Sequence, residues 1–301
     1  MKNYFLMSGT LGDAFIVILK LYNPYKNKKI YLKRISRWTD QDQVIRNLTK
    51  LFSFIEYKKP CIEISSVDQT INTIENLDFK YVNTSWNGSH FNKSEKDFSK
   101  LSVEPFPKIK IKKKRKKNSK ILVCIQVNSG KIGGNCKIFS SKWLFELIML
   151  FDPDKFEIIL LGTTVNNKFF SKNNFSIFNN LKILVDKTSF IEWLKIINRS
   201  DFFISNEGFP AFFSMSQKIK TICFYTDKRI LTRMHPFWRK DNLVLDVGWK
   251  SFYSTLNVIV ARILYKRYPY IYPIKPKNIY NYIINNIKQS EKNLYFKTKN
   301  L

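Results

Sequence analysis

Histidine is almost missing from this chain: among 301 residues only His90 and His235 occur, far apart. Cysteine is scarce as well, and Cys61, Cys124, Cys136 and Cys223 form no CxxC pair. Without clustered imidazoles or thiols a zinc site lacks a ligand set, so neither a metal nor a cofactor is expected. Three of the cysteines fall in or near apolar strands, where a thiol behaves as a small core group, and a reducing compartment is expected. No apolar run approaches the ~18 residues of a membrane span. The start of the chain lacks the layout of a signal peptide, so a cytoplasmic protein is expected. A Walker phosphate loop and a GxGxxG are also absent, which removes the warrant for an NTPase or a dehydrogenase.

Acidic residues are the last shortage: 23 Asp and Glu stand against 52 Lys and Arg, a formal net charge of +29. Lys, Asn, Ile, Phe and Tyr are all abundant, as a compositionally biased genome would also give. The charge beyond that bias points to an anionic partner: nucleic acid, an acidic membrane surface or a phosphorylated substrate. Hydrophobic content of 44% with 16% aromatics describes a packed globular protein rather than a disordered one. The length suits two domains of ordinary size.

The chain opens on Tyr4-Phe5-Leu6-Met7, a short strand, then Ser8-Gly9-Thr10-Leu11-Gly12-Asp13 and an apolar helix from Ala14 to Leu19. One carboxylate thereby stands at the carboxyl end of a strand, where open α/β sheets hold their ligands. Lys29 to Leu32 is a second strand. Helical spacing over Thr39 to Ile55 comes from Val44, Leu48, Leu51, Phe52 and Ile55. Cys61 to Ile64 is a further strand, Asp68 caps a helix through Ile71, Ile74 and Leu77, and Phe79 to Val82 is extended. From Ser85 to Pro107 the pattern dissolves. The following run, Lys108 to Lys117, holds eight cations and no acid, and such a run repels itself into an exposed linker.

Beyond it the periodicity is more regular. Strands are expected at Ile121–Ile125, Glu157–Leu161, Leu181–Val185, Asp201–Ser205 and Lys220–Tyr225. A helix starts at Ser140 or Ser141 and runs to Phe151. Ser189 and Glu192 have capping-box spacing ahead of another helix, a further helix joins the last two strands, and a final one lies near Asn278 to Ile287. Repeated β-α-β order implies parallel, right-handed sheets. The expected organisation is an amino-terminal Rossmann-like domain over 1–107, a basic linker over 108–119, a carboxy-terminal Rossmann-like domain over 120–275, and a terminal helix and tail over 276–301.

Four segments follow strands and so fall at the ligand-binding ends of the sheets: Thr10–Asp13, Gln126–Gly134, Ser205–Phe212 and Tyr225–Asp227. The opening, a strand, a small residue, one more residue, Gly-Asp and an apolar helix, resembles that of glycosyltransferase family nine, which includes the lipopolysaccharide heptosyltransferases. Lys137 to Trp143 is similar to that family's Lys-x-Trp element, with Phe139 in place of its Trp. Ser205 to Ala211 resembles its Asp-(Ser/Thr)-Gly-x-x-His block, with Asn206, Glu207 and Ala211 where the family has Asp, Ser or Thr, and His. Tyr225-Thr226-Asp227 falls where the family closes a strand on a short polar step. The order of all four elements agrees across nearly the whole chain.

The resemblance implies an α/β fold of two facing Rossmann-like domains with a cleft between them, the GT-B type. It also implies metal-independent, inverting transfer of a heptose-like sugar from a nucleotide-diphosphate donor. The acceptor would be a glycan or glycolipid, such as a lipopolysaccharide core, and the implied setting is the cytoplasm or, peripherally, the inner face of an anionic membrane. In the family the aspartate at the position of Asp13 is the base, within hydrogen-bond reach of the acceptor hydroxyl. The residues themselves leave a second reading open, that Asp13 only caps its helix. Thr10 and Gly12 belong to the same acceptor-side turn. Ser129, Gly130, Lys137 and Lys142 are candidates for the donor phosphates, aided by backbone N–H groups of that turn, although the lysines read equally as solvated surface charges. Asn206, Glu207 and Gly208 are donor-binding candidates, with Glu207 either accepting sugar hydroxyls or capping a helix. Asp152-Pro153-Asp154 resembles a metal-binding Asp-x-Asp but precedes a strand, so a turn is expected. His235 to Trp238 either borders a bound base or anchors a loop. Two further readings stay open: a basic nucleic-acid-binding protein centred on Lys108–Lys117, and an inactive relative that binds nucleotide sugars.

Overall fold

The computed structural model describes residues 3–36, 39–63, 80–82, 84, 119–128, 139–163, 168–171, 173–225, 234–246 and 274–299. Two all-parallel sheets organise them. The first contains β1 (Asn3–Ser8), β2 (Ile30–Ser36), β3 (Ile55–Glu63) and β4 (Lys80–Tyr81) in the order β3-β2-β1-β4. Helix α1 (Leu11–Tyr25) joins β1 to β2, and α2 (Asp42–Thr49), preceded by a 3-10 turn at Thr39–Gln41, joins β2 to β3. The second sheet contains β5 (Ile121–Gln126), β6 (Phe156–Leu161), β7 (Leu181–Ile183), β8 (Phe202–Asn206), β9 (Lys220–Tyr225) and β10 (Leu243–Asp246). Its order is β10-β9-β8-β5-β6-β7. Its helices are α3 (Ser141–Met149), α4 (Lys168–Ser171), α5 (Phe190–Arg199), α6 (Phe209–Ser216), α7 (Pro236–Asp241) and α8 (Pro276–Lys299).

Counted within the second sheet, this is the Rossmann order, with the direction of winding reversing between β5 and β8. The first sheet reverses between β1 and β4. Strands buried on both faces read as unbroken apolar runs: every residue of Phe202–Asn206 is buried. The same logic explains α1, in which Ala14 through Leu19 are all buried. A helix that is apolar all round needs cover on every side. Here the first sheet supplies one side and α6, from the second half, another: Phe15 meets Phe209 edge-on at 5.3 Å and Phe213 at 6.1 Å. One apolar cluster therefore takes residues from both halves, among them Phe5, Ile16, Phe209, Phe213 and Cys223.

A second cluster fills the other face of the larger sheet. There Phe139 stacks on Trp143 at 5.1 Å, and the Trp143 indole donates to the Ile274 carbonyl at 2.8 Å. Helix α8 closes this layer with Ile279 and Ile283 buried. The capping box at Ser189 forms as expected, the Ser189 N–H donating to the Glu192 carboxylate at 2.9 Å. Those hydrogen bonds hold the Glu192 carboxyl below its ordinary range.

Several expectations need correction. The helix expected to Ile55 ends at Thr49. Phe52 and Phe54 are buried in the connecting turn, and Ile55 already pairs with Ile30 as the start of β3. Of the strand expected at Cys61–Ile64, Cys61 to Glu63 is the far end of this longer one, and Ile64 lies outside the described residues. β7 stops at Ile183, and the turn after it takes Asp186 to a positive φ of 58°. The last helix extends to Lys299, and α4, α7 and β10 lacked a clear sequence signal. The helix expected from Asp68 and the basic run lie outside the described residues, as does nearly all of the 108–119 linker.

Candidate functional site

The amino-terminal site is assembled on the turn after β1. Gly9 has φ +97°, and a Cβ built on it would lie 2.3 Å from Asp13 Oδ2, so only glycine fits against that carboxylate. Asp13 Oδ2 accepts from the Thr10 N–H at 2.8 Å and from the Thr10 hydroxyl at 3.0 Å, in a capping-box arrangement. The cap expected as the alternative for Asp13 is therefore formed, and it also fixes where the carboxylate sits. Asp13 retains 7% exposure. At the reversal of the sheet, Ser8 Oγ and the Tyr81 hydroxyl share a hydrogen bond of 2.7 Å.

A polar group that sequence reasoning missed lies behind this turn. Arg34, on β2, is fully buried and donates from Nη1 to the Gly9 carbonyl at 3.0 Å. Its Nη2 lies 3.5 Å from Asp42 Oδ1, and the Tyr57 hydroxyl donates to the same oxygen. Burial first, then the Asp42 carboxylate, pushes the Tyr57 phenol well above its usual pKa, so it stays a donor. From the neighbouring residue, Gln41 Oε1 accepts the Leu11 N–H at 3.0 Å. The sequence signal was available: Ile30, Leu32 and Arg34 share one face of β2, so a cation stands where the alternation calls for an apolar side chain.

The carboxy-terminal site lies at the reversal between β5 and β8. The Gln126 side-chain amide donates to the Asn128 carbonyl at 2.7 Å, and Gln126 Oε1 accepts from the Trp193 indole at 2.9 Å. Asn128 clasps Thr163 by accepting its N–H at 3.0 Å. Asn206 and Glu207 are buried at the end of β8, the Glu207 N–H donating to the Phe224 carbonyl at 2.8 Å, and Gly208 is the N-cap of α6. Ala211 is fully buried in α6.

The structure brings the two sites together at the starts of α1 and α6. A Cβ on Gly12 would lie 3.3 Å from the Phe209 nitrogen and 3.5 Å from the Phe212 ring. Gly12 thus lets the first turn of one helix touch the first turn of the other, and Asp13 follows directly. Gly12 on one side meets Phe209 and Phe212 on the other. Lys142 is not part of this group: its side chain is 83% exposed and lies 3.9 Å from Glu146, one turn along α3. Ser129, Gly130 and Lys137 lie outside the described residues, as do Thr226 and Asp227. Asp152 and Asp154 form the expected turn before β6, with the Asp154 N–H donating to Asp152 at 2.9 Å. His235 accepts the Phe237 N–H to cap α7, and Trp238 packs on Phe212, which is the loop-anchor reading. Among the described residues no three His, Cys, Asp or Glu side chains gather as a metal site, and no described helix is long and apolar enough to cross a membrane.

Two parallel Rossmann-like sheets, meeting through helices that start at their carboxyl ends, define the GT-B fold. Solved structures of this fold match nearly the whole chain. The Escherichia coli ADP-heptose lipopolysaccharide heptosyltransferase II is 10% identical and superposes with a TM-score of 0.58, over 97% of this chain and 100% of its own. A family 9 glycosyl transferase from Veillonella parvula gives 10% and 0.52, over 93% and 95%. The E. coli heptosyltransferase WaaC with ADP gives 10% and 0.52, over 95% and 98%. The protein is thus heptosyltransferase-like in fold. No family model and no curated protein sequence matches the chain.

Proposed function

We propose that the protein is a glycosyltransferase that takes a heptose-like sugar from a nucleotide-diphosphate donor. The observation that carries this reading is the contact of the two helix starts, where Gly12, the residue before Asp13, abuts Phe209 and Phe212. Fold alone hosts many chemistries. What favours transfer is a carboxylate held by its own cap on one side and an α6 start framed by Asn206, Glu207 and Gly208 on the other. Backbone N–H groups at such helix starts suit a departing diphosphate. Ser129, Gly130 and Lys137 are proposed to add to the donor side through the loop before α3.

In this proposal Asp13 takes the proton of an acceptor hydroxyl as that oxygen attacks the anomeric carbon from the face opposite the leaving diphosphate. The sugar–phosphate bond breaks, the diphosphate leaves with its electron pair, and the configuration inverts, with no metal step invoked. ADP-heptose is the first donor to test, because one structure of the same fold is an ADP-heptose enzyme and another carries ADP. The acceptor proposed is a glycan or glycolipid of the lipopolysaccharide-core type. Cytoplasmic location follows in the same proposal, with basic surfaces adding roughly 1 kcal/mol per cation beside an anionic membrane; no specific nucleic acid is invoked.

A second reading, an inactive nucleotide-sugar-binding relative, is favoured by Ala211, whose methyl lies in the α6 core where the resemblance places histidine. Thermal unfolding against ADP-, GDP- and UDP-sugars tests binding, and diphosphate release tests turnover. A ligand bound only by the folded state, at 100 times its Kd, adds about 2.7 kcal/mol of stability. Stabilisation by one nucleotide sugar with release of its diphosphate supports transfer; stabilisation without release supports the second reading; no response to any donor contradicts both.

A further inference from the structure

The least expected side chain in the amino-terminal half is Arg34. It stands on the β2 face that carries Ile30 and Leu32, and it is fully buried. Removing a guanidinium from water carries a penalty that one ion pair and a few hydrogen bonds only partly offset. A methionine or leucine would pack beside Ile30 and Leu32 without it. What an apolar residue could not do is donate to the Gly9 carbonyl.

The strand pairing is deformed at the same place. Lys33 pairs with Lys58 and Ile35 with Ile62, so one residue of β2, Arg34, faces three of β3. Such bulges re-aim a side chain and interrupt the ladder, and they cluster beside functional sites. Asp42, which pairs with Arg34, and Gln41, which holds the Leu11 N–H, are consecutive residues. One short segment therefore braces the β1–α1 turn twice, at the Gly9 carbonyl through Arg34 and at the Leu11 amide directly. Between those two points lies Thr10, whose N–H and hydroxyl hold Asp13.

We propose that Arg34 is a positioning residue: by fixing the Gly9 carbonyl, with Asp42 and Tyr57 orienting its guanidinium, it sets the place from which the Asp13 carboxylate meets the acceptor. The inference rests on the transfer reading above. It touches no substrate, so its contribution is geometric, and displacement of a reacting group by about 1 Å is enough to cost roughly 10²-fold in rate.

The test is Arg34→Lys in the full chain. Lysine keeps the charge but lacks the planar fork that reaches Gly9 and Asp42 together. Two readouts are taken: release of ADP from ADP-heptose with a lipopolysaccharide-core oligosaccharide as acceptor, and amide hydrogen exchange along the chain. The expected result is a fall in kcat of roughly 10²-fold at unchanged donor KM. Faster exchange at Thr10 and Leu11 should accompany it, with β5 and β8 unaltered. Unchanged kcat, or unchanged exchange at Thr10 and Leu11, overturns the inference. If Arg34→Lys does not fold, Asp42→Asn removes the guanidinium's counter-charge at constant shape and should give the same pattern more weakly; wild-type kcat and exchange in that variant also overturn it. A wild-type protein that turns over no nucleotide sugar overturns the transfer reading instead, and the exchange comparison then still decides whether Arg34 holds the turn.

Discussion

Gly9 shows how little room the amino-terminal turn leaves for change. Its φ of +97° is costly for any residue with a Cβ, and the space a Cβ would take is filled by the Asp13 carboxylate. Gly9→Ala should therefore destabilise the protein by about 1–3 kcal/mol through backbone strain. It should also lower transfer more than stability alone explains, because the carboxylate must move. Chemical denaturation paired with turnover checks this; a variant with wild-type stability and rate would show that the turn relaxes freely. Position 34 illustrates the opposite case, in which a large charged side chain is kept inside for a contact that no apolar residue makes.

At the scale of elements, the contact between α1 and α6 links the halves. Gly12→Val would push two methyl groups against the Phe209 backbone and the Phe212 ring, and overpacking of this kind costs typically 1–3 kcal/mol. The expected outcome is a lower melting temperature, with Gly12→Ala falling between valine and wild type; equal melting temperatures for all three would mean that the helices do not press together at Gly12. Most elements were legible because their signals are local. Ser189 and Glu192 announced a capping box, and strands buried on both faces announced themselves as apolar runs. The end of α2 was not legible, because Leu51, Phe52 and Ile55 continue its helical spacing while packing as a turn and a strand. At the site, Asp13 was readable as both base and cap, and the cap is present. Arg34, Asp42 and Tyr57 were not readable together, since they come from β2, α2 and β3 and meet only once those elements pack. Lys142 was readable only as a lysine near a helix start, and side-chain direction sends it to solvent.

At the scale of the molecule, one apolar cluster crosses from the first sheet to the second through α1 and α6. The starts of α1 and α6, which follow the carboxyl ends of strands in the two sheets, thereby touch, as the proposed two-substrate transfer requires, and a formal net charge of +29 favours anionic partners. Asp13→Asn tests this arrangement most directly. Asparagine keeps an acceptor for the Thr10 N–H, so the helix start survives while the proposed base is lost. The account predicts donor binding equal to wild type by calorimetry, with turnover reduced by roughly 10²–10⁴-fold. Undiminished turnover in Asp13→Asn would contradict it.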